Sequence, residues 1–196
     1  MAAAPPDAPT SVVAAQIGAT AAVHVDWVPG FDGGSPITSY TATATPGGLT
    51  CTSSASPPDA FCDITGLSVG VSYTVAVIAT NGSGDSLASA DSAAVLVATV
   101  PNPPTAVSAA AVGSTTSVDV SWVAPVNDGG SAITGYTATS TPGSHACATA
   151  GTVCTVTGLT RGVTYTFTVV AANGLGNSAP SAASAGVFVP TVPRHP

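Results

Sequence analysis

The chain has neither lysine nor glutamate among its 196 residues; two arginines, Arg161 and Arg194, stand against nine aspartates, and the formal net charge is −7. Charged residues make up 6% of the sequence, where a globular domain typically carries about 25%. Two cations cannot neutralise a phosphate backbone, so nucleic acid is excluded as a partner. The same deficit argues against an anionic membrane surface. No apolar run approaches the roughly 18 residues that a spanning helix needs, so membrane insertion is not expected. Without lysine, an intramolecular Lys–Asn amide crosslink cannot form, and no Arg-Gly-Asp tripeptide is present. Disorder through high charge and low hydrophobicity is excluded as well, because 45% of residues are hydrophobic and the mean hydropathy is +0.47. The opening residues carry no basic segment and no long apolar stretch, so the chain reads as a mature or excised piece.

What is present is a repeat. Displacing the chain by about 95 residues sets Trp27 on Trp122 and the segment 33–43 on 129–139. Cys51 then meets Cys147 and Cys62 meets Cys154, with a shorter loop in the second copy. Beyond it Thr65-Gly66-Leu67 meets Thr157-Gly158-Leu159, Tyr73 meets Tyr165, and Asn81-Gly82-Ser83-Gly84 meets Asn173-Gly174-Leu175-Gly176.

Within each copy the hydrophobic period is two, the signature of a strand half-buried in a sheet. Val23, Val25 and Trp27 alternate with His24 and Asp26, as Val118, Val120 and Trp122 alternate with Asp119 and Ser121. Tyr73, Val75, Val77 and Ala79 repeat as Tyr165, Phe167, Val169 and Ala171. No segment holds a helical period over three turns. Short β-branched runs divided by Pro-Gly and Asn-Gly turns predict an all-β chain of two sandwiches, each about 90 residues long.

The four cysteines allow three pairings. Their spacing matches no zinc pattern and no histidine lies at ligand distance in sequence. Two local disulfides, Cys51 with Cys62 and Cys147 with Cys154, are the simpler reading, because each pair falls inside one repeat. Such bridges imply an oxidising compartment, hence an extracellular or cell-surface location. The competing reading is four buried thiols in a reducing one.

Each repeat resembles the fibronectin type III family along nearly its whole length. The resemblance rests on an opening Pro-rich segment, then Trp27, Tyr40, Leu67, Tyr73, Asn81 and Gly84, and in the second copy Trp122, Tyr136, Leu159, Tyr165, Asn173 and Gly176. It implies two tandem immunoglobulin-like sandwiches of seven strands each, with the tryptophans and tyrosines in the core and each Leu and second Tyr forming a tyrosine corner. The chain departs from antibody-type domains in its cysteines, which flank the loop between the fourth and fifth strands. The Asp-Gly-Gly turns together with this cysteine arrangement are similar to modules of secreted or surface bacterial proteins, where they usually act as spacers.

Residues 1–8 are expected to form a leader or linker, 9–99 the first domain, 100–104 a Pro-rich linker, 105–189 the second domain and 190–196 a linker remnant. Three prolines in residues 100–104 predict a semi-rigid polyproline spacer of about 15 Å.

Residues with reactive potential are few. His24 lies on an outward strand position, His145 in a loop near a cysteine, and His195 in the tail. Because His24 and His145 fall on non-equivalent positions of separate repeats, a shared His/Asp/Ser arrangement is not expected. Asp32-Gly33-Gly34 and Asp128-Gly129-Gly130 could offer loop oxygens to calcium, but such a site needs about six to eight oxygens, and a turn explains the residues. Phe31 and Phe61 are the rings expected to be accessible. Asn81-Gly82-Ser83 is a glycosylation sequon that coincides with the family's Asn-x-x-Gly turn. The sequence therefore predicts no enzyme, no cofactor and no metal. It predicts a structural spacer from a longer secreted or surface protein, partnered by neighbouring domains, with adhesion or self-association as the alternative.

Overall fold

A computed structural model describes residues 3–191; Arg194 and His195 lie outside the described residues. The chain divides into two compact units, Met1–Ala98 and Thr99–Pro196. All regular structure in the described residues is β. The first unit contains β1 (Thr10–Gln16), β2 (Ala22–Val28), β3 (Ile37–Thr45), β4 (Thr50–Ser53), β5 (Phe61–Thr65), β6 (Ser72–Asn81), β7 (Gly84–Asp85) and β8 (Val95–Leu96). The second contains β9 (Thr105–Ala111), β10 (Val118–Val123), β11 (Gly135–Thr141), β12 (Ala146–Thr149), β13 (Val153–Val156), β14 (Thr164–Asn173), β15 (Gly176–Asn177) and β16 (Val187–Phe188).

Each unit is a two-sheet sandwich. In the first, one sheet has the order β1-β2-β5 and the other β4-β3-β6-β7, with β8 also on β6. The second repeats this as β13-β10-β9 and β12-β11-β14-β15, with β16 on β14. All pairings are antiparallel; Tyr40 lies opposite Ala79 and Ser53, and Val25 opposite Cys62. The strict alternation of β6, exposed or half-buried at every second residue, sends Tyr73, Val75, Val77 and Ala79 inward. Burying a Val, Leu or Ile side chain contributes about 1.5–3 kcal/mol, so this one strand supplies much of the core.

The two cores differ by compensating exchanges. Ile64 and Val75 of the first unit are replaced by Val156 and Phe167 in the second, all of them fully or almost fully buried. Each tryptophan packs on a tyrosine, with ring centroids 5.2 Å apart for Trp27–Tyr40 and 5.4 Å for Trp122–Tyr136. The tyrosine corners are formed: Tyr73 Oη accepts the Ser68 N–H, and Tyr165 Oη the Thr160 N–H, both at 2.9 Å.

The seventh strand of each sandwich is not continuous. β7 and β8 each pair with β6 over two residues only. Between them, residues 86–92 show a burial period of three, with Ser86, Ser89 and Ser92 inward. Three residues per turn is the repeat of polyproline II, which has no internal hydrogen bonds and must be anchored from outside.

Candidate functional site

The polar residues that the sequence marks out gather at the leading end of each unit. Asp32 Oδ1 accepts the Gly34 N–H at 2.8 Å, and Asp128 Oδ1 accepts that of Gly130 at 2.9 Å. These turns aim a backbone carbonyl at the chain entering the unit. Ala4 N–H donates to Gly33 O at 3.0 Å and Asp7 N–H to Phe31 O at 2.8 Å. In the second unit Thr99 N–H donates to Gly129 O at 2.7 Å and Asn102 N–H to Asn127 O at 3.0 Å. Residues 4–7 and 99–102 are therefore leading straps, each hydrogen-bonded at every third residue. Pro6, Pro9, Pro101 and Pro104 are buried on the same period.

Within the segment 100–104, expected as a semi-rigid Pro-rich spacer, Asn102 is hydrogen-bonded to the second unit and Pro101 and Pro104 are buried. Proline suits a docked strip as well as an exposed one: its fixed φ favours the extended geometry, and having no N–H it leaves no donor unpaired when buried.

Asn81 and Asn173 fasten the straps. Asn81 Nδ2 donates to Ala4 O at 2.8 Å and Asp32 O at 2.7 Å, while Oδ1 accepts the Ser83 N–H at 2.8 Å. Asn173 repeats this with Thr99 O at 2.7 Å, Asp128 O at 2.9 Å and the Leu175 N–H at 2.9 Å. Both asparagines are buried. A buried amide with donors and acceptor in use cannot present Nδ2 to a glycosyl donor, so the sequon at Asn81 is closed in the folded chain. Gly33 and Gly129 have positive φ, 71° and 79°. A Cβ at either would overlap the carbonyl of Ala4 or Thr99, so the strap's close approach requires glycine.

At the other end, side chains seize the chain as it leaves each sandwich. Gln16 Nε2 donates to Ala98 O, and Gln16 Oε1 accepts the Ala98 N–H at 3.2 Å. In the second unit Arg161 performs the task, with Nη1 on Pro190 O at 3.0 Å and Nη2 on Ser114 O at 2.7 Å.

The serine strip is the part sequence reasoning missed. Ser86, Ser89 and Ser92 accept the N–H groups of Ala79, Val77 and Val75 at 2.9–3.0 Å. Their own N–H groups return to the carbonyls of the same three residues at 2.8–2.9 Å. Ser178, Ser181 and Ser184 do the same for Ala171, Val169 and Phe167. The signal was available as Ser-x-x-Ser-x-x-Ser at 86–92 and again at 178–184.

The cysteines are bonded as Cys51–Cys62 and Cys147–Cys154, with Cα–Cα separations of 5.9 and 6.1 Å. Cys51 lies on β4 and Cys62 on β5, so the bridge joins edge strands of the two sheets. Trp27, Tyr40, Leu67, Tyr73, Trp122, Tyr136, Leu159 and Tyr165 are all core residues, none more than 7% exposed.

Among the described residues, His24 is the histidine with carboxylate partners. Nδ1 lies 2.5 Å from Asp63 Oδ1 and Nε2 lies 3.3 Å from Asp26 Oδ1, on an outer sheet face where the Phe61 ring lies tilted by 37° with its centroid 5.4 Å away. The hydrogen bond to Asp63 raises its pKa above 6.5, opposed by desolvation and aided by the charges of Asp26 and Asp63. His145 is half-buried, edge-on to Tyr165 at 6.4 Å, remote in sequence from any carboxylate pair. Among the described residues no three His, Cys, Asp or Glu side chains converge as metal ligands. Phe31 and Phe61 are 67% and 48% exposed. A depression of about 790 Å³ in the second unit is lined by Pro103, Pro104, Val123, Pro125, Val126 and Pro180 among others, with no titratable side chain.

The family model described as "Fibronectin type III domain" matches residues 7–95 and 102–187. "Chitinase A1" of Niallia circulans is 38% identical over 136 residues, which is 65% of this chain and 18% of that protein. The chain thus spans about a fifth of that relative's length. Among solved structures, the FN1-FN3 domains of chicken CNTN1 cover 96% of this chain and 69% of theirs, at 20% identity and a TM-score of 0.47. "Titin kinase and its flanking domains" is 34% identical over 45% of this chain and 17% of that one, with a TM-score of 0.41.

Proposed function

The chain belongs to the fibronectin type III family through both of its halves, and from that premise we propose that it is a non-catalytic tandem module serving as a spacer in a longer secreted or cell-surface protein. The observation that carries this reading is where the ligand-like motifs direct their hydrogen bonds. Asp-Gly-Gly and Asn-x-x-Gly hold the chain's own backbone in both units, which leaves little of their bonding capacity for a substrate. The two disulfides support an oxidising, extracellular setting. The chitinase relative supports a bacterial one, and it suggests which substrate class to test.

The experiment is incubation of the pair with soluble and crystalline chitin, cellulose and xylan, reading released reducing sugar and protein retained on the solid. A spacer releases no sugar and is retained no more than an inert protein. Turnover on any of the three overturns the reading, and retention without turnover replaces it with a binding module.

A second reading, self-association, is favoured by one observation: Phe31, Leu87 and Val126 stand exposed at 67%, 83% and 104% on a weakly charged surface. Sedimentation across concentration and salt separates the two. A spacer stays monomeric, while a self-associating module gains mass.

A further inference from the structure

We propose that Asn81-Gly82 and Asn173-Gly174 are deamidation sites which the folded straps hold shut, and that conversion of either asparagine permanently releases the strap it fastens. Both are Asn-Gly sequences at the same place in each repeat. Glycine offers no side chain to hinder attack by its own backbone nitrogen on the preceding side-chain amide. In that reaction the Gly82 nitrogen, having lost its proton, bonds to Asn81 Cγ, and the Cγ–Nδ2 bond breaks. Ammonia leaves with Nδ2, and a succinimide remains. Water then opens the ring to aspartate or isoaspartate, so the net change is gain of water and loss of ammonia.

The fold opposes each requirement of that step. The leaving nitrogen is held by Ala4 O and Asp32 O at 2.8 and 2.7 Å, and Oδ1 by the Ser83 N–H at 2.8 Å. A third carbonyl, Ser35 O, lies 3.4 Å from Nδ2, and rotation of the amide toward Gly82 would break all of these bonds at once. Asn173 is fixed equally, by Thr99 O, Asp128 O and the Leu175 N–H. Both side chains are buried at 5% and 7% exposure, away from the water that completes the reaction. Reaction therefore proceeds from an opened strap, and its rate carries the free energy of that opening.

The product cannot re-close the strap. Where an NH₂ donor met three carbonyl oxygens, a carboxylate oxygen now faces them, an unpaired buried charge against acceptors. Each opening thus risks an irreversible change, and the lifetime of the module follows how often Ala4 or Thr99 leaves its socket.

The test is to hold the whole chain at mildly alkaline pH, folded or in denaturant with disulfides intact, and to follow deamidation at each asparagine by peptide mass spectrometry with isoaspartate detection. We expect Asn81 and Asn173 to react at least tenfold faster in denaturant, a factor that corresponds to about 1.4 kcal/mol of strap opening. Equal rates in the two states overturn the proposal. Gly82→Ala and Gly174→Ala supply a second measurement, with deamidation read in denaturant and amide exchange in folded protein. Neither glycine has a positive φ, and an added Cβ meets only Ser35 Oγ at 3.5 Å or Ser131 Oγ at 3.7 Å. Each should slow the reaction of its own asparagine in denaturant and leave amide exchange of Ala4 and Thr99 unchanged. In folded Asn81→Asp, the Ala4 amide should lose its exchange protection at neutral pH; retained protection overturns the release step.

Discussion

Ser89 satisfies both backbone groups of Val77: its Oγ accepts the Val77 N–H at 2.9 Å, and its own N–H donates to the Val77 carbonyl at 2.9 Å. One residue in every three of the strip thereby does the work of a paired strand, while its Oγ–H turns to the Ala90 carbonyl at 2.9 Å. The strip lies along the edge of the β3–β6 sheet, with its intervening residues exposed. An edge covered by a chain of threefold period presents no β register to a second molecule. A protein without lysine to blunt its edges has need of such a cover.

Ser89→Ala should orphan the buried Val77 N–H and cost about 1–3 kcal/mol. At about 4–8 °C per kcal/mol for a domain of this size, the first unit should melt several degrees lower in calorimetry. Ser181→Ala should do the same to the second unit. Leu87→Ser, at a position 83% exposed on the same strip, should leave melting nearly unchanged.

The strap makes a sharper comparison between two adjacent glycines. Gly33 and Gly34 both have positive φ, 71° and 81°, but a Cβ at Gly34 meets nothing within 4 Å whereas one at Gly33 overlaps the Ala4 carbonyl. Gly34→Ala should therefore cost only the left-handed backbone penalty of about 1–2 kcal/mol. Gly33→Ala should cost more, and should also abolish exchange protection of the Ala4 amide. Equal melting temperatures for the two variants would show that the strap contributes nothing.

These two features divide what the sequence could and could not reveal. Alternation at Val23, Val25 and Trp27 is a local property, since a sheet with one buried face imposes a period of two on any strand it contains. The sandwich, the paired cysteines and the tyrosine corners follow from such patterns and from the resemblance they support. The serine strip was hidden because small polar residues every third position look like a loop until a strand lies beside them. The strap was hidden for a related reason. Pro101, Pro103 and Pro104 suit a free spacer and a docked strip equally, and the difference lies in Gly129 O and Asn173, which are remote in sequence. The hydrogen bonds of Asn81 likewise appear only when Ala4, Asp32 and Ser83 are brought together.

The bridges Cys51–Cys62 and Cys147–Cys154 close short loops with sequence separations of 11 and 7. Restricting the unfolded chain in this way stabilises by about 2–3 kcal/mol per bridge, slightly more for the longer loop. Denaturant melts with and without reductant should show both units weakened, the first by the larger amount. The paired variant Cys51→Ala with Cys62→Ala should reproduce the loss in the first unit alone, and the second unit should then keep its full sensitivity to reductant.

His24 gives the first unit a pH dependence through a histidine–aspartate pair that has no counterpart on β10 and β13 of the second. Across β2 and β5 it faces Asp63, and along β2 it faces Asp26. Its neighbour on β1 is Ala15, which carries no charge. The matching pair in the second unit is Asp119 with Thr155, joined by a neutral donor at 2.6 Å. The hydrogen bond to Asp63 raises the folded pKa of His24 above 6.5. A group whose pKa is higher when folded binds its proton more tightly in the native state. Its stabilisation is therefore complete below pH 6.5 and is lost as pH rises through the folded value. Partial exposure screens the interaction, so the loss should be modest and should shrink with added salt. Thermal melts from pH 5 to pH 9 should show the first unit declining above the unfolded histidine's pKa of about 6.5, with this component absent from the second. Asp63→Asn should flatten most of it, because the Asp63 hydrogen bond is the largest cause of the shift. An unchanged slope in that variant would assign the effect to another group.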